Sequence, residues 1–382
     1  MASDEDPVTG GDASFDAGTP ADAGQQSASD TGTSVQAGDA GKDASSTSSP
    51  SDASMNPAPP ARDAGRASDS GSAGDGALRD ANVPVGTGDA GRPPVGRKFV
   101  GNITTNGQVR TDFVTYWNQI TPENEGKWGS VEGTRNQMNW SGLDRVHDYA
   151  KQHGIKFKQH TFVWGSQQPG WLNGLSAAEQ KTEVEEWIRL FCERYPDVDL
   201  IDVVNEPPPH TTPVYMAALG GAGASGYDWI VQAFKWARQY CPKATLILND
   251  YNNIEYGADN TRFISIANAV KTAGAPIDGI GAQAHDAYKL STTSVQQMID
   301  KLASSTGLPV YITEYDINLA DDAQQQKVLE SQFTMFWNDD NVKGITLWGY
   351  VVGSTWKADT GLLTASGTKR PALTWLQGFL TP

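Results

Sequence analysis

At 382 residues the chain can hold one large domain or two ordinary ones, and its formal net charge of −16 offers no basic surface for a nucleic-acid partner. Two isolated cysteines make no zinc or redox motif, and no stretch approaches the roughly 20 apolar residues of a membrane span, so those classes are set aside.

Residues 1–95 contain neither Trp nor Tyr and a single Phe, Phe15, while Asp, Ala, Gly, Ser and Pro fill most of the rest. Such a segment cannot bury enough apolar area to offset the entropy of ordering its backbone, so it is expected to be a disordered, self-repelling linker or tail. It carries 15 Asp/Glu against 5 Lys/Arg, a net −10 that leaves −6 for the remainder. The acidity is mostly the tail's property. A recurring Asp-Ala-Gly triplet, beginning at Asp16, Asp22, Asp39, Asp63 and Asp89, is compositional and lacks the hydrophobic content of a solenoid unit. A tether to a surface or second module and an inert spacer are both open readings.

From Arg97 onward short apolar runs alternate with helical periodicity, the signature of repeated βα units. In chain order the pattern predicts strand 98–103, helix 112–118, strand 119–121, helix 141–153, strand 156–163, helix 176–195, strand 200–205 and helix 227–240. It continues with strand 245–249, helix 260–272, strand 279–283, helix 294–306, strand 309–313, helix 322–337, strand 344–348 and helix 371–379. Ser141 ahead of Leu143 and Val146 marks one helix start, and Ser176-Ala-Ala-Glu179 matches a capping box. Eight units over residues 97–382 predict an α/β protein with a (β/α)8 TIM barrel as its catalytic domain; no Gly-rich phosphate fingerprint follows the first strand, which weakens a doubly wound nucleotide-binding sheet. Cys192 and Cys241 each fall near a predicted helix end, and a bridge and two buried thiols are equally open.

Polar and aromatic residues gather where the strands end, and in a barrel those loops share one face. The run Leu200-Ile-Asp-Val-Val-Asn-Glu206 ends in an amide and an acid before Pro207-Pro208-Pro209, and Leu308-Pro-Val-Tyr-Ile-Thr-Glu314 repeats the design. Cleaving a glycosidic bond with retention needs a protonated acid and a carboxylate nucleophile about 5 to 5.5 Å apart. Glu206 and Glu314 are the candidate pair, although a glutamate ending a barrel strand can also serve as a salt bridge or helix cap. Asn205 can hydrogen-bond a sugar 2-hydroxyl, and His285 is suited to hold Glu314 in place and ionised. The five histidines, His147, His153, His160, His210 and His285, form no HxH or HExxH pattern, so no metal site is expected. Trp128, Trp164, Trp348 and Trp356 stand in mouth loops, where most of them are expected to pack on pyranose rings rather than in the core.

Together these motifs resemble the family 10 glycoside hydrolases, endo-β-1,4-xylanases built on (β/α)8 barrels. The resemblance covers nearly all of residues 97–382. It rests on Thr121-Pro-Glu-Asn-Glu-Gly-Lys-Trp128, His160-Thr-Phe-Val-Trp164, Asp202-Val-Val-Asn-Glu206, Gln283-Ala-His285, Ile312-Thr-Glu-Tyr-Asp316 and the pair Trp348 and Trp356. It implies that Glu206 is the acid/base and Glu314 the nucleophile, with His285 bound to the nucleophile and Asn205 to the 2-hydroxyl. It further implies that Glu123, Asn124 and Lys127 form the polar wall of the next subsite, with His160, Trp164, Gln167 and Gln283 lining neighbouring positions. Trp348 and Trp356 would close over the non-reducing side and Tyr251 would stack on the leaving side. The implied reaction is retaining endo-hydrolysis of β-1,4-xylan without a cofactor. The partners so implied are xylan or a xylo-oligosaccharide, met by a monomer.

Three positions depart from the family pattern. Gly165 stands where a second histidine usually follows the tryptophan and is expected to widen the cleft, Pro207 replaces the commoner alanine, and Tyr315 replaces leucine. A β-1,4-glucanase or mannanase with the same carboxylates is the nearest rival; Lys127 and Glu123 oppose it by crowding the place of a hexose hydroxymethyl group. A non-catalytic sugar-binding barrel is the rival from another class. A polymeric substrate calls for a secreted or cell-surface enzyme. The first residues show no charged segment leading into an apolar one, so the export signal is expected outside this sequence.

Overall fold

A computed structural model describes residues 98–381. The expectation of a disordered tail over residues 1–95 lies outside the described residues.

Eight strands close into a parallel barrel in sequence order: β1 Phe99–Ile103, β2 Gln119–Thr121, β3 Lys156–Val163, β4 Leu200–Asn205, β5 Thr245–Asp250, β6 Gly279–Ala282, β7 Val310–Tyr315 and β8 Val342–Leu347, with β8 pairing back to β1. The principal helices on the outside are α3 Ser141–His153, α4 Ala177–Arg194, α5 Asp228–Tyr240, α6 Gly257–Thr272, α7 Thr292–Thr306, α8 Asp322–Asn338 and α9 Pro371–Leu380. Ser176 and Glu179 form the capping box foreseen at the start of α4, each satisfying a backbone N–H that the first helical turn leaves without a partner.

The elements differ from expectation at their edges. Helix 112–118 shrinks to one turn, α1 Phe113–Tyr116, because Trp117 is already extended and Asn118 Oδ1 accepts from Val100 N at 2.8 Å, which commits the chain to β2. A second single turn, α2 Trp128–Val131, was not foreseen. Strand β7 runs two residues past the predicted end at 313, so Glu314 lies within it.

The main core fills the space between strands and helices, with Trp187, Phe191, Phe234, Ile266 and Leu302 wholly buried. A separate plug of Phe99, Leu200, Ile247 and Tyr311 closes the barrel interior at the strand starts. Gly344 makes it possible, since a Cβ there would stand 2.2 Å from the Phe99 ring. Above the plug the interior turns polar, with Gln119, Lys158, His160, Asp202, Asn249 and Glu314 all buried. Outside the barrel Cys192 at the end of α4 is bonded to Cys241 after α5, which closes the question left open between bridge and thiols.

Candidate active site

Glu314 stands where strand pairing loses its regularity, and Glu206 follows a strand interrupted in the same way. The β3–β4 register shifts between His160 and Val163, β4–β5 between Asp202 and Val204, and β7–β8 between Ile312 and Tyr315. Such irregularities bend a strand and re-aim its side chains. Glu206, one residue beyond β4, takes the left-handed conformation at φ 49°, unusual for a residue with a side chain. Its backbone is held on both sides. Its N–H donates to Asn249 O at 2.9 Å, and its carbonyl accepts from Thr211 N at 3.1 Å and Thr211 Oγ1 at 2.8 Å.

The two carboxyl groups meet different company. Glu206 accepts only from neutral donors, Trp164 Nε1 at 2.8 Å and Gln283 Nε2 at 2.9 Å. Glu314 accepts from Asn249 Nδ2 at 2.9 Å and has His285 Nε2 at 3.4 Å and His160 Nδ1 at 3.9 Å. Burial pushes the Glu206 carboxyl up and the neighbouring Glu314 charge adds to that, so despite the Gln283 and Trp164 donors it stays protonated above the usual carboxyl range. Burial alone would raise Glu314 as well, yet His160, His285 and Lys158 outweigh it and hold that carboxyl at about 2. One acid is poised to carry a proton and the other to be ionised.

A chain of amides joins them. Gln283 Nε2 reaches Glu206 and also Asn205 Oδ1 at 3.3 Å, and Asn249 Nδ2 bonds Asn205 Oδ1 at 2.8 Å as well as Glu314. Asn205 Nδ2 is buried without a hydrogen-bond partner, a donor available at the centre of this network. Behind Glu314, burial would depress His285, but Asp316, 3.2 Å from Nδ1, and then Glu314 raise it to about 10.

The remaining candidates surround this core. Lys127 Nζ donates to Asn124 Oδ1 at 3.1 Å and lies 5.1 Å from the Trp164 ring centre, and Gln167 Nε2 donates to the same Asn124 oxygen at 3.3 Å. Burial draws the Lys127 ammonium down against the upward pull of Glu314, Glu123, Glu206 and Glu125, and burial prevails. Glu123 is raised by its own burial against the pull of Lys127. Trp348 packs edge-on against His160, with centres 5.2 Å apart. Trp356 is 50% exposed and donates from Nε1 to Asp316 Oδ2 at 2.5 Å. Tyr251 stacks on His210 with centres 3.8 Å apart and rings 11° from parallel. The structure thus places these candidates around the two glutamates near the strand ends, with Tyr251 joined through His210 and Asp250.

Other expectations change. Trp128 is core, 3% exposed and stacked 5° from parallel on Trp187, with its Nε1 donating to Glu132 Oε2 at 2.7 Å. Gly165 does not widen the cleft: a Cβ there would stand 2.5 Å from Thr212 N, so the backbone of residues 211–212 fills the space. Tyr315 faces away from the mouth, donating to Gln332 Oε1 of α8 at 2.9 Å. Several contributors carried no assigned role in the sequence: Asn249, Lys158, Asp202, His210 and Asp316. Lys158 and Asp202 form a wholly buried ion pair at 2.9 Å, and an aspartate inside the otherwise apolar run Leu200–Val204 was the signal that could have found it.

A closed parallel barrel whose mouth holds two glutamates, oppositely poised and linked through buried amides, defines a glycoside hydrolase of the carboxylate-pair kind. Residues 94–378 match the model of Glycosyl hydrolase family 10, and the chain belongs to that family. Endo-1,4-beta-xylanase B of Cellvibrio japonicus is 52% identical over 280 residues, covering 73% of this chain and 45% of that protein, so this chain spans less than half the length of that relative. Endo-1,4-beta-xylanase A of Caldicellulosiruptor saccharolyticus is 32% identical over 276 residues, 66% of this chain and 80% of that one. The crystal structure of native xylanase 10B from Thermotoga maritima superposes with a TM-score of 0.66 at 26% identity, covering 74% of this chain and 95% of that one.

Proposed function

We propose that this chain hydrolyses internal β-1,4-xylosidic bonds of xylan with retained configuration. The observation that carries the reading is the opposite poise of Glu206 and Glu314 across one amide network. In the first step the Glu314 carboxylate attacks the anomeric carbon while Glu206 gives its proton to the departing glycosidic oxygen, so the xylosyl–enzyme bond forms as the glycosidic bond breaks. In the second step Glu206, now a carboxylate, takes a proton from water as the oxygen attacks the same carbon and Glu314 departs. Asn205 Nδ2 donates to the sugar 2-hydroxyl, a contact that strengthens as positive charge develops on the ring. His285, held by Asp316, keeps Glu314 ionised and oriented.

Glu123, Asn124 and Lys127 act as the polar wall one sugar from the cut, and their bulk disfavours a hydroxymethyl-bearing hexose there. His160, Gln167 and Trp164 line adjacent positions, Gln283 orients Glu206, Trp348 and Trp356 close the non-reducing side, and Tyr251 receives the leaving sugar. A polymeric substrate places such an enzyme outside the cell or on its surface, where it acts as a monomer with residues 1–95 as a spacer.

Proton NMR of xylo-oligosaccharide hydrolysis tests the reaction: β-configured product should appear first and mutarotate later. First-formed α product, or faster cleavage of carboxymethylcellulose or mannan than of xylan, would overturn the reading.

A further inference from the structure

Beside the acid/base stands a histidine that the catalytic scheme does not use. The chain after Glu206 folds back on itself, with His210 N donating to Pro207 O at 3.3 Å and Thr211 clasping the Glu206 carbonyl. Gly165 admits this return, because any side chain there would collide with residues 211–212. The fold-back lays the His210 ring flat on Tyr251, and its orientation is set from behind. His210 Nδ1 lies 2.6 Å from the wholly buried Asp250 Oδ1, and Arg262 Nη2 binds the other Asp250 oxygen at 3.0 Å. A histidine ring held edge-on by a buried carboxylate and face-on by a phenol has little rotational freedom.

Tyr251 is close enough to Glu206 for that carboxyl to act on its phenol, which burial first of all pushes up to about 12. On the reading proposed above, Glu206 protonates the leaving oxygen, so the sugar nearest Tyr251 is the one that leaves. We infer that His210 is a positioning residue for the leaving-side sugar: backed by Asp250, it fixes the Tyr251 ring as a preformed platform and thereby makes cleavage depend on xylose units beyond the cut. The inference rests on the retaining-xylanase reading. A preformed aromatic face avoids the ordering cost that a freely rotating tyrosine would incur on binding.

The test compares two substrates of the 382-residue chain. Xylotetraose places sugars on the leaving side, whereas β-xylobiosyl fluoride passes its sugars to Glu314 and releases only fluoride ion, which reaches no platform. His210→Ala should lower the ratio of kcat/KM for xylotetraose to that for the fluoride by about fivefold, the scale of one aromatic contact. His210→Phe keeps a flat face on Tyr251 and should restore most of the ratio; His210→Gln keeps only a donor for Asp250 and should not. Equal losses on both substrates, an unchanged ratio in His210→Ala, or Gln restoring more than Phe would each overturn the inference. The failure of the underlying reading looks different, since it shows in the unsubstituted enzyme, as α-configured first product or as faster cleavage of carboxymethylcellulose or mannan than of xylan.

Discussion

Strand β3 carries two lysines, two positions apart, that belong to different worlds. Lys156, at the strand start, pairs with Asp199 at 3.2 Å with side chains 50% and 35% exposed, whereas Lys158, inside the barrel, pairs with Asp202 at 2.9 Å with both side chains buried. The contrast holds for the two ends of the barrel as a whole. At the strand starts Lys151 pairs with Asp197 and Arg238 with Asp278, while Asp199 and Asp278 also cap the backbone N–H groups of Phe157 and Leu246. Water screens such pairs to about 0 to 1 kcal/mol, so they tidy the scaffold. At the mouth, His160, Lys158 and His285 act on Glu314 through buried space, where charges couple strongly and can set a protonation state. The same residue types thus serve stability at one end and chemistry at the other, and exposure makes the difference.

The largest expected break in this contrast is at the carboxylates. Glu314→Gln and Glu206→Gln should each lower xylan turnover by about 10³-fold or more; Glu206→Gln should leave the thermal midpoint unlowered, whereas Glu314→Gln also loses the carboxylate that faces His285 and should lower the midpoint without unfolding the protein at room temperature. With a dinitrophenyl xylobioside, whose leaving group needs no proton, Glu206→Gln should still release a burst of phenol and Glu314→Gln none. Xylanase activity within tenfold of the parent in Glu314→Gln would remove that residue from the mechanism.

Next comes pH. Glu314 at about 2 must be ionised to attack, so the acid limb of kcat/KM belongs near pH 2, and the alkaline limb belongs above the ordinary carboxyl range because Glu206 must be protonated. His285→Asn removes one cation from Glu314 and should shift the acid limb upward in a pH–rate profile; an unmoved limb would contradict the electrostatic role. For stability the signs oppose each other. The Glu314 contribution is complete above its ordinary 4.5 and is lost as pH falls through about 2, whereas that of His285 is complete below 6.5 and is lost as pH rises through about 10. Denaturant titrations across pH would trace both.

Smaller effects sharpen the comparison. Lys158→Met leaves Asp202 buried with less compensation and should cost about 4 kcal/mol in urea unfolding. Replacing both Cys192 and Cys241 by Ala opens a link spanning 49 residues and should cost about 3 kcal/mol, with activity per folded molecule unchanged. Lys156→Met, two positions from Lys158, should cost only about 0.5 kcal/mol. Similar losses for the two lysine variants would show that the two ends are not electrostatically distinct.

Much of this was readable from the chain. The eight strands announce themselves because a barrel strand buried on both faces is a short apolar run bounded by turn formers, and Glu206 and Glu314 stand out as acids closing such runs. The tryptophans were harder. Trp128 and Trp164 both lie in strand-end segments, yet Trp128 is sandwiched into the aromatic core by Trp187 while Trp164 reaches Glu206, and only the partner's location separates them. Gly165 was likewise ambiguous, because a missing side chain opens space only if nothing else fills it, and here residues 211–212 do.

The amino-acid order therefore settled the local matters: which runs are strands, where they stop to within about two residues, and which acids stand near their ends, since each depends on neighbours a few residues away. Tertiary structure decided the bridge between Cys192 and Cys241, the fate of each tryptophan, the clasp of His210 on Tyr251 and the opposite poise of two chemically identical side chains. Those depend on burial and on charges brought from other strands, and a carboxyl group takes its proton affinity from what surrounds it in space.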